Sequence, residues 1–374
     1  KEVFEIRKAG LNILMSMKGD KKPVAFIEDC AVSLEHLADY TARLKEIFKK
    51  YGTSGMFYAH ASVGTLHVRP VLNMKSDKDI QNMRSISEEA FEMVKDYKGS
   101  HSGEHGDGIV RSEFHEMMFG KKITNAFEEI KDTFDSKNLL NPGKIVRPFK
   151  SNDRSLMRYK SGYQTENIDT HYDWSNWGQF SDAVEMCNNN GACRKLDSGV
   201  MCPSYRVTKE EKDLVRGRAN TLRLALSNQL PEGSFASKEM YETMELCVSC
   251  KACQRECPMS VDMAKMKSEF LSHYYKKFSM RIKDRVISDM PRLIWLLKFV
   301  APTFNKIKNL PLISTIVEKF GFATARTMPE VQNQNALKEI YRSQTVSENK
   351  VILFADTFNI NFENENLVYA IKVL

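Results

Sequence analysis

Four cysteines, Cys247, Cys250, Cys253 and Cys257, with Pro258 directly behind the last, constrain this chain more than any other feature. Their spacing is C-x2-C-x2-C-x3-C-P. A tetrahedral zinc site uses two C-x2-C pairs, or one pair with histidines, separated by about a dozen residues or more, and a single tight run does not suit it. Disulfide frameworks belong to small secreted chains, whereas 374 residues can bury cores of their own. The spacing fits an iron–sulfur cubane. Three neighbouring thiolates bind one cluster, and the fourth cysteine of such a run turns to a second. That habit demands partner cysteines elsewhere, and Cys187, Cys193 and Cys202-Pro203 are the candidates. With crossed ligands, Cys202 joins Cys247, Cys250 and Cys253 at one 4Fe–4S site. Cys187, Cys193 and Cys257 are left for a second site, where Asn190 stands in the position of a middle cysteine. That site could hold a 3Fe–4S cluster, a 4Fe–4S cluster with a non-cysteine ligand, or none. Cys30 lies apart in an apolar stretch and reads as a buried small hydrophobe.

Composition agrees with an intracellular protein of two or three cores, at 42% hydrophobic and 28% charged residues. The 55 basic and 48 acidic residues leave a mild, dispersed charge of +7. No arginine-rich arm or nucleic-acid module accompanies it, so nucleic acid is not an expected partner. The longest apolar stretch, residues 293–302, is interrupted by Lys298 and too short to span a bilayer. A cytoplasmic location is expected, with peripheral contact at the inner face of the membrane as the variant. A helical pattern is already under way at residues 2–7. Residues 351–356 read as a buried strand, followed by an apolar-periodic segment at 368–374. These ends suggest an internal piece of a longer polypeptide.

The pattern between the ends predicts an α+β chain. Residues 23–30 read as a strand, and Ser33 caps a helix running to about Tyr51. Two strands, 56–61 and 65–72, are joined by a Ser-Val-Gly turn. Ser76 and Asp79 form a capping box for a helix through Tyr97, and helices continue to Phe134. The order β-α-β-β-α predicts a ferredoxin-like α/β sandwich over residues 1–150. Residues 151–180 read as a linker. Residues 181–330 read as a mostly helical domain holding all seven clustered cysteines.

A second constellation lies in the sandwich region. His60 and His67 flank Gly64 on neighbouring strands, and Gly103-Glu104-His105-Gly106-Asp107-Gly108 sets a carboxylate beside an imidazole. Two histidines and a carboxylate can hold a divalent metal with positions open for substrate oxygens. A neighbouring histidine can then act as a base at neutral pH. Hydrogen-bonded structural histidines at strand ends are the plain alternative. The glycines read G-x-x-G-x-G, not the nucleotide-binding G-x-G-x-x-G, so a nicotinamide cofactor is not expected.

The string HASVGTLHVRP at 60–70, GEHGDG at 103–108 with RSE at 111–113, and LNPGK at 140–144 together resemble the C-terminal part of the FAD-linked oxidase family. That family includes D-lactate, glycolate and D-2-hydroxyglutarate dehydrogenases. The cysteine region resembles the 4Fe–4S ferredoxin-type domain fused to it in large bacterial members, and the likeness covers nearly the whole chain. The resemblance implies oxidation of a D-2-hydroxy acid to the 2-oxo acid, with electrons passing from FAD through an iron–sulfur cluster to a quinone or carrier protein. It assigns His60, His67 and Glu104 to a divalent metal, zinc or manganese, and His105 to the substrate hydroxyl proton. Arg7 falls near the family's carboxylate-binding arginine, with Arg69 and Arg111 as lesser candidates, and Asn141 lies in the segment that closes over the flavin. FAD itself would be held mainly by a domain preceding residue 1. Residues 350–374 would begin a cysteine-rich C-terminal domain, so the piece alone should be inactive. A homo-oligomer is compatible with all of this. Where many relatives carry Gly-Asp-Gly-Asn between the two histidines, this chain has ASVGT at 61–65. The competing reading is an iron–sulfur electron-transfer subunit serving a separate dehydrogenase. A zinc-stabilised interaction module is a third.

Overall fold

The computed structural model describes residues 10, 12–197, 199–332, 338 and 351–374. Two compact units divide the chain, one up to Tyr274 and the other Tyr275–Leu374.

The first unit begins with a small antiparallel sheet of β1 (Lys21–Pro23), β2 (Cys30–Ala31), β3 (Gly55–His60) and β4 (Thr65–Asn73). β4 pairs with the other three, and its apolar run is buried along most of its length. β1 and β2 are two pieces of one edge strand, so the single strand expected at 23–30 is broken. The six residues 24–29 face only the four residues 67–70, leaving two extra residues to bulge. Bonds from Val24 N to Pro70 O (2.9 Å) and from Asp29 N to Leu66 O (3.0 Å) fasten the two ends of the bulge. A bulge re-aims side chains, and here it turns out Glu28 and Asp29, with Asp29 at a left-handed φ of 64°.

Two helices cover the sheet. α1 (Leu37–Lys50) buries Tyr40, Leu44 and Phe48 at a four-residue spacing. It is preceded by a 3-10 turn, and Ser33 enters through its carbonyl rather than a side-chain cap. α2 (Asp77–Asp96) buries Ile80, Met83, Ile86, Ala90, Phe91 and Val94 on its core face. Only half of the expected capping box forms. Ser76 Oγ accepts from Asp79 N at 3.4 Å, but the Asp79 carboxylate accepts from Asn73 N at 2.8 Å and ties down the end of β4 instead. Burying a side chain such as Phe48 or Phe91 contributes about 1.5–3 kcal/mol, which fixes these helices on the sheet.

The cysteine region packs in the same unit around α3 (Phe180–Glu185), α4 (Val215–Leu226) and α5 (Met263–Lys277), with shorter helices between. Its core is rich in methionine and aromatic side chains, including Met240, Met244, Met266, Phe235 and Phe270. The stretch expected as a linker is docked there. Trp174 is buried, and the buried carboxylate of Glu269 accepts from His171 N, Tyr172 N and Trp174 Nε1 at 2.9–3.0 Å. A polar composition alone hides this, because one buried acid on α5 binds two backbone amides and an indole of the stretch.

The described elements of the second unit are helices, among them Met290–Ile307 and Asn364–Val373, with residues 321–332 and 351–356 outside any helix or strand. The strand expected at residues 351–356 does not form; Ile352 and Phe354 are exposed, and no described strand pairs with the segment. A strand needs a neighbour for its amides and carbonyls. No described helix is long and apolar enough to cross a membrane.

Candidate functional site

The β3–β4 hairpin decides where the histidines point. His60 pairs with Thr65 and Tyr58 with His67, so His60, Tyr58 and His67 share one face of the sheet. The two imidazole centroids lie 5.1 Å apart. The hairpin turn needs Gly64, which has φ 72° and whose Cβ would stand 1.9 Å from Val32 O.

Residues 103–105 bring Glu104 and His105 to that face. Glu104 Oε1 lies 2.8 Å from His67 Nε2, 3.5 Å from His60 Nε2 and 3.9 Å from His105 Nε2. His105 stacks on His67 at 5.2 Å. The floor is buried, with His67 4% and Glu28 6% exposed, while His60, Glu104 and His105 stand at the solvent rim. Burial pushes the His67 pKa down, against the pull of Glu104 and Glu28, so this imidazole is neutral at neutral pH.

What holds the loop is Asp29, which the sequence did not single out. Its Oδ2 accepts from the backbone N–H of Gly103, Glu104 and His105 at 3.1, 2.9 and 2.7 Å. Its Oδ1 accepts from Arg111, which also bonds Glu28 O and Gly106 O. Glu28 was missed as well. Its Oε1 accepts from Tyr58 OH at 2.9 Å and from Arg69 at 2.6 and 3.0 Å, and lies 3.8 Å from His67 Nδ1. The available signal was two consecutive acids inside the apolar segment 24–32. Buried acids in such a strand demand partners.

The other candidates separate. Arg69 and Arg111 are committed to Glu28 and Asp29, so neither is left over for a substrate carboxylate. Asn141 stands apart in an exposed left-handed turn, where it accepts from Lys144. Arg7 lies outside the described residues.

His60, His67 and Glu104 each offer a ligand atom, all within 4.8 Å of one another, and Glu28, His67 and His105 form an overlapping set. The donor types fit a divalent cation. Glu28 stands behind the second nitrogen of His67, at 3.8 Å and without a hydrogen bond to it.

The cysteines fall into two groups. Cys202, Cys247, Cys250 and Cys253 line one cavity with Val215, Arg218 and Met263. Cys187 and Cys193 lie within electrostatic reach of Cys257. Burial pushes the Cys202 thiol up to about 12, and only metal or backbone donors would make it a thiolate. Backbone donors are at hand. Val215 N donates to Cys202 Sγ at 3.3 Å, at the first residue of α4. The Arg216 amide faces Cys193, and the Met263 and Ala264 amides, at the start of α5, face Cys253. Ser249 and Lys251 hold left-handed φ values of 54° and 61° between the cysteines, the alternation that turns backbone amides inward around an anionic group. The buried guanidinium of Arg218 adds positive charge beside the four-cysteine cavity. Four thiols, inward amides and one cation fit an anionic 4Fe–4S cluster. Asn190 is engaged within its own loop, bonding Asn188 and accepting from Ala192 N.

Residues 1–145 match the family described as FAD linked oxidases, C-terminal domain, and residues 183–261 match the 4Fe-4S dicluster domain. The chain is similar to the D-2-hydroxyglutarate dehydrogenase of Escherichia coli, with 30% identity over 352 residues covering 85% of this chain and 34% of that protein. The D-2-hydroxyglutarate dehydrogenase of Pseudomonas putida is 29% identical over 96% of this chain and 40% of its own length. A D-lactate dehydrogenase of Archaeoglobus fulgidus is 32% identical over 133 residues, 36% of this chain and 29% of that protein. The chain thus spans well under half of the length of these curated relatives.

Proposed function

From a chain that carries an FAD linked oxidase C-terminal domain and a 4Fe-4S dicluster domain, we infer the central part of an FAD-dependent dehydrogenase. It oxidises a D-2-hydroxy acid, of the 2-hydroxyglutarate, lactate or glycolate class, to the 2-oxo acid. The observation that carries this reading is the convergence of His60, His67 and Glu104 on one side of His105, in the same compact unit as two groups of cysteines. An electron carrier alone has no use for such a cluster. The β-α-β-β-α element order is read as a ferredoxin-like sandwich that presents it.

When bound, the flavin supplies a hydride acceptor, a divalent ion such as zinc or manganese supplies Lewis acidity, and the iron–sulfur centres supply one-electron steps. This chain's residues do the rest. His60, His67 and Glu104 hold the ion, and Glu28 stands behind His67. His105 takes the hydroxyl proton, with carboxylates near both of its ring nitrogens: Asp29 and Glu28 at 3.8 and 4.0 Å from Nδ1, and Glu104 at 3.9 Å from Nε2. The hydroxyl proton would thus go to His105, and the flavin would supply the acceptor for the hydride. Cys202, Cys247, Cys250 and Cys253 hold a 4Fe–4S cluster, and Cys187, Cys193 and Cys257 hold a second centre, with a quinone or a carrier protein as final acceptor.

The test is anaerobic flavin bleaching of the full-length enzyme by a panel of D- and L-2-hydroxy acids. A D-acid should bleach it within one turnover, and His105→Ala should slow that step about 10²–10⁴-fold with substrate binding retained. No bleaching by any hydroxy acid, or an unchanged rate in His105→Ala, would sink the assignment and favour an electron-transfer subunit.

A further inference from the structure

Beyond the rim histidines lies a cluster that shares no residue with them. His101 and His115 are buried at 1% and 3% exposure, and Asp107 is half-buried. One ligand atom from each lies within 4.8 Å of the others, with His115 Nε2 3.0 Å from Asp107 Oδ2. Both ring nitrogens of His101 are buried without a hydrogen-bond partner, and so are His115 Nδ1 and Asp107 Oδ1. A neutral imidazole carries one donor and one acceptor, so His101 leaves both unsatisfied. Each such atom is costly to bury when nothing pairs it. One nitrogen of each ring and one Asp107 oxygen converge and call for a common partner. The walls are aromatic: Phe91 and Phe119 stand 5.3 and 5.6 Å from the His101 ring. Phe91 is fully buried on the inner side, while Phe119 and Asp107 are partly exposed on the outer side.

We propose that His101, Asp107 and His115 form a second divalent-metal site, separate from the rim site. Two imidazoles and one carboxylate suit a small tetrahedral cation of the zinc type, with a water in the fourth position. The consequence reaches the chemistry without touching substrate. Residues 101–107 include Glu104 and His105, and Asp29 with Arg111 fastens their middle. A metal bridging His101 and Asp107 to the helix His115–Phe119 fastens both ends of the loop as well.

The test counts zinc in the full-length protein after chelator stripping and reloading with Zn²⁺ alone, by mass spectrometry of the desalted chain. Wild type should hold two zinc ions, His101→Phe and Asp107→Asn one each, and His67→Ala one. The double variant His101→Phe/His67→Ala should hold none. Phenylalanine suits the aromatic walls, and the near-isosteric Asp107→Asn guards against loss of folding in the first variant. Cobalt loading gives a second readout, with one set of visible d–d bands missing in each single variant. Two zinc ions retained in both His101→Phe and Asp107→Asn would overturn the proposal. So would a single ion in wild type that only His67→Ala removes, and that result would leave the rim site intact. A single ion removed by His101→Phe alone would support this site and count against the rim metal.

Discussion

Asp29 shows how one residue can organise a site it does not line. Its carboxylate is fully buried, carries three backbone amides of the loop and faces Arg111. Asp29→Ala would strand a buried guanidinium and release the loop. A cost of about 3–5 kcal/mol is expected, seen as a lower midpoint in thermal unfolding followed by circular dichroism. Asp29→Asn should cost less, since it keeps a side-chain oxygen to accept from the loop amides. His101 makes a pH prediction for the metal-free protein. Burial pushes its pKa down from 6.5 to about 4, so the native state binds the proton less well than the unfolded one. Its contribution is therefore complete above about pH 6.5 and is lost as pH falls toward about 4, by roughly 2–3 kcal/mol. His101→Phe should flatten the stability profile across that window. The histidines and Glu104 were legible in the sequence because their spacing around glycines is distinctive. Glu28 and Asp29 were not, because a bulge of two residues, invisible to periodicity, sets their direction.

At the scale of the element, the first turn of α4 stands between the two cysteine groups. Val215 N serves Cys202, and the next amide faces Cys193. Val215→Pro removes one donor at a helix position that tolerates proline, after Leu214 at φ −118° and ψ 170°, the extended backbone that proline favours ahead of it. The helix should persist while the cluster loses an N–H···S bond, which lowers its potential. Redox titration followed by electron paramagnetic resonance should find a negative shift on the order of tens of millivolts. An unchanged midpoint would remove α4 from the tuning of that cluster. Two residues on, Gly217 leaves no room for a side chain, because its Cβ would stand 2.0 Å from Glu211 O. Gly217→Ala should cost about 1–3 kcal/mol in thermal unfolding, because backbone must move. The helices were readable from apolar spacing, as at Tyr40, Leu44 and Phe48. Their ends were not, since Asp79 could cap Ser76 or bond Asn73 and only the position of β4 selects the second.

For the whole molecule, the sheet that carries the histidines and the helices that carry the cysteines belong to one compact unit. Substrate oxidation and electron exit should therefore separate by mutation within that unit. In the full-length enzyme, Cys250→Ala should erase the paramagnetic signal of one centre and slow flavin reoxidation at least tenfold, with substrate-driven flavin reduction unchanged. Cys257→Ala should erase the other signal. One signal vanishing in both variants would mean that a single centre draws on both groups. The stretch 151–180 also changes meaning at this scale. Its polar composition suggested a tether, yet Glu269 anchors it across nearly a hundred residues of sequence.

By itself the sequence determined the chemistry available: four cysteines at cluster spacing with three less regular partners, two histidines around a glycine turn, and a carboxylate–imidazole pair. Those are local facts, dictated by ligand geometry over a few residues. Only the tertiary structure decided which groups meet. Strand register put His60 and His67 on one face, the broken edge strand aimed Asp29 at the loop, and two helix N-termini sorted the thiols into two groups. The strand expected at 351–356 marks the same boundary from the other side. An apolar run can propose a strand, but a ladder of hydrogen bonds with a neighbour has to accept it.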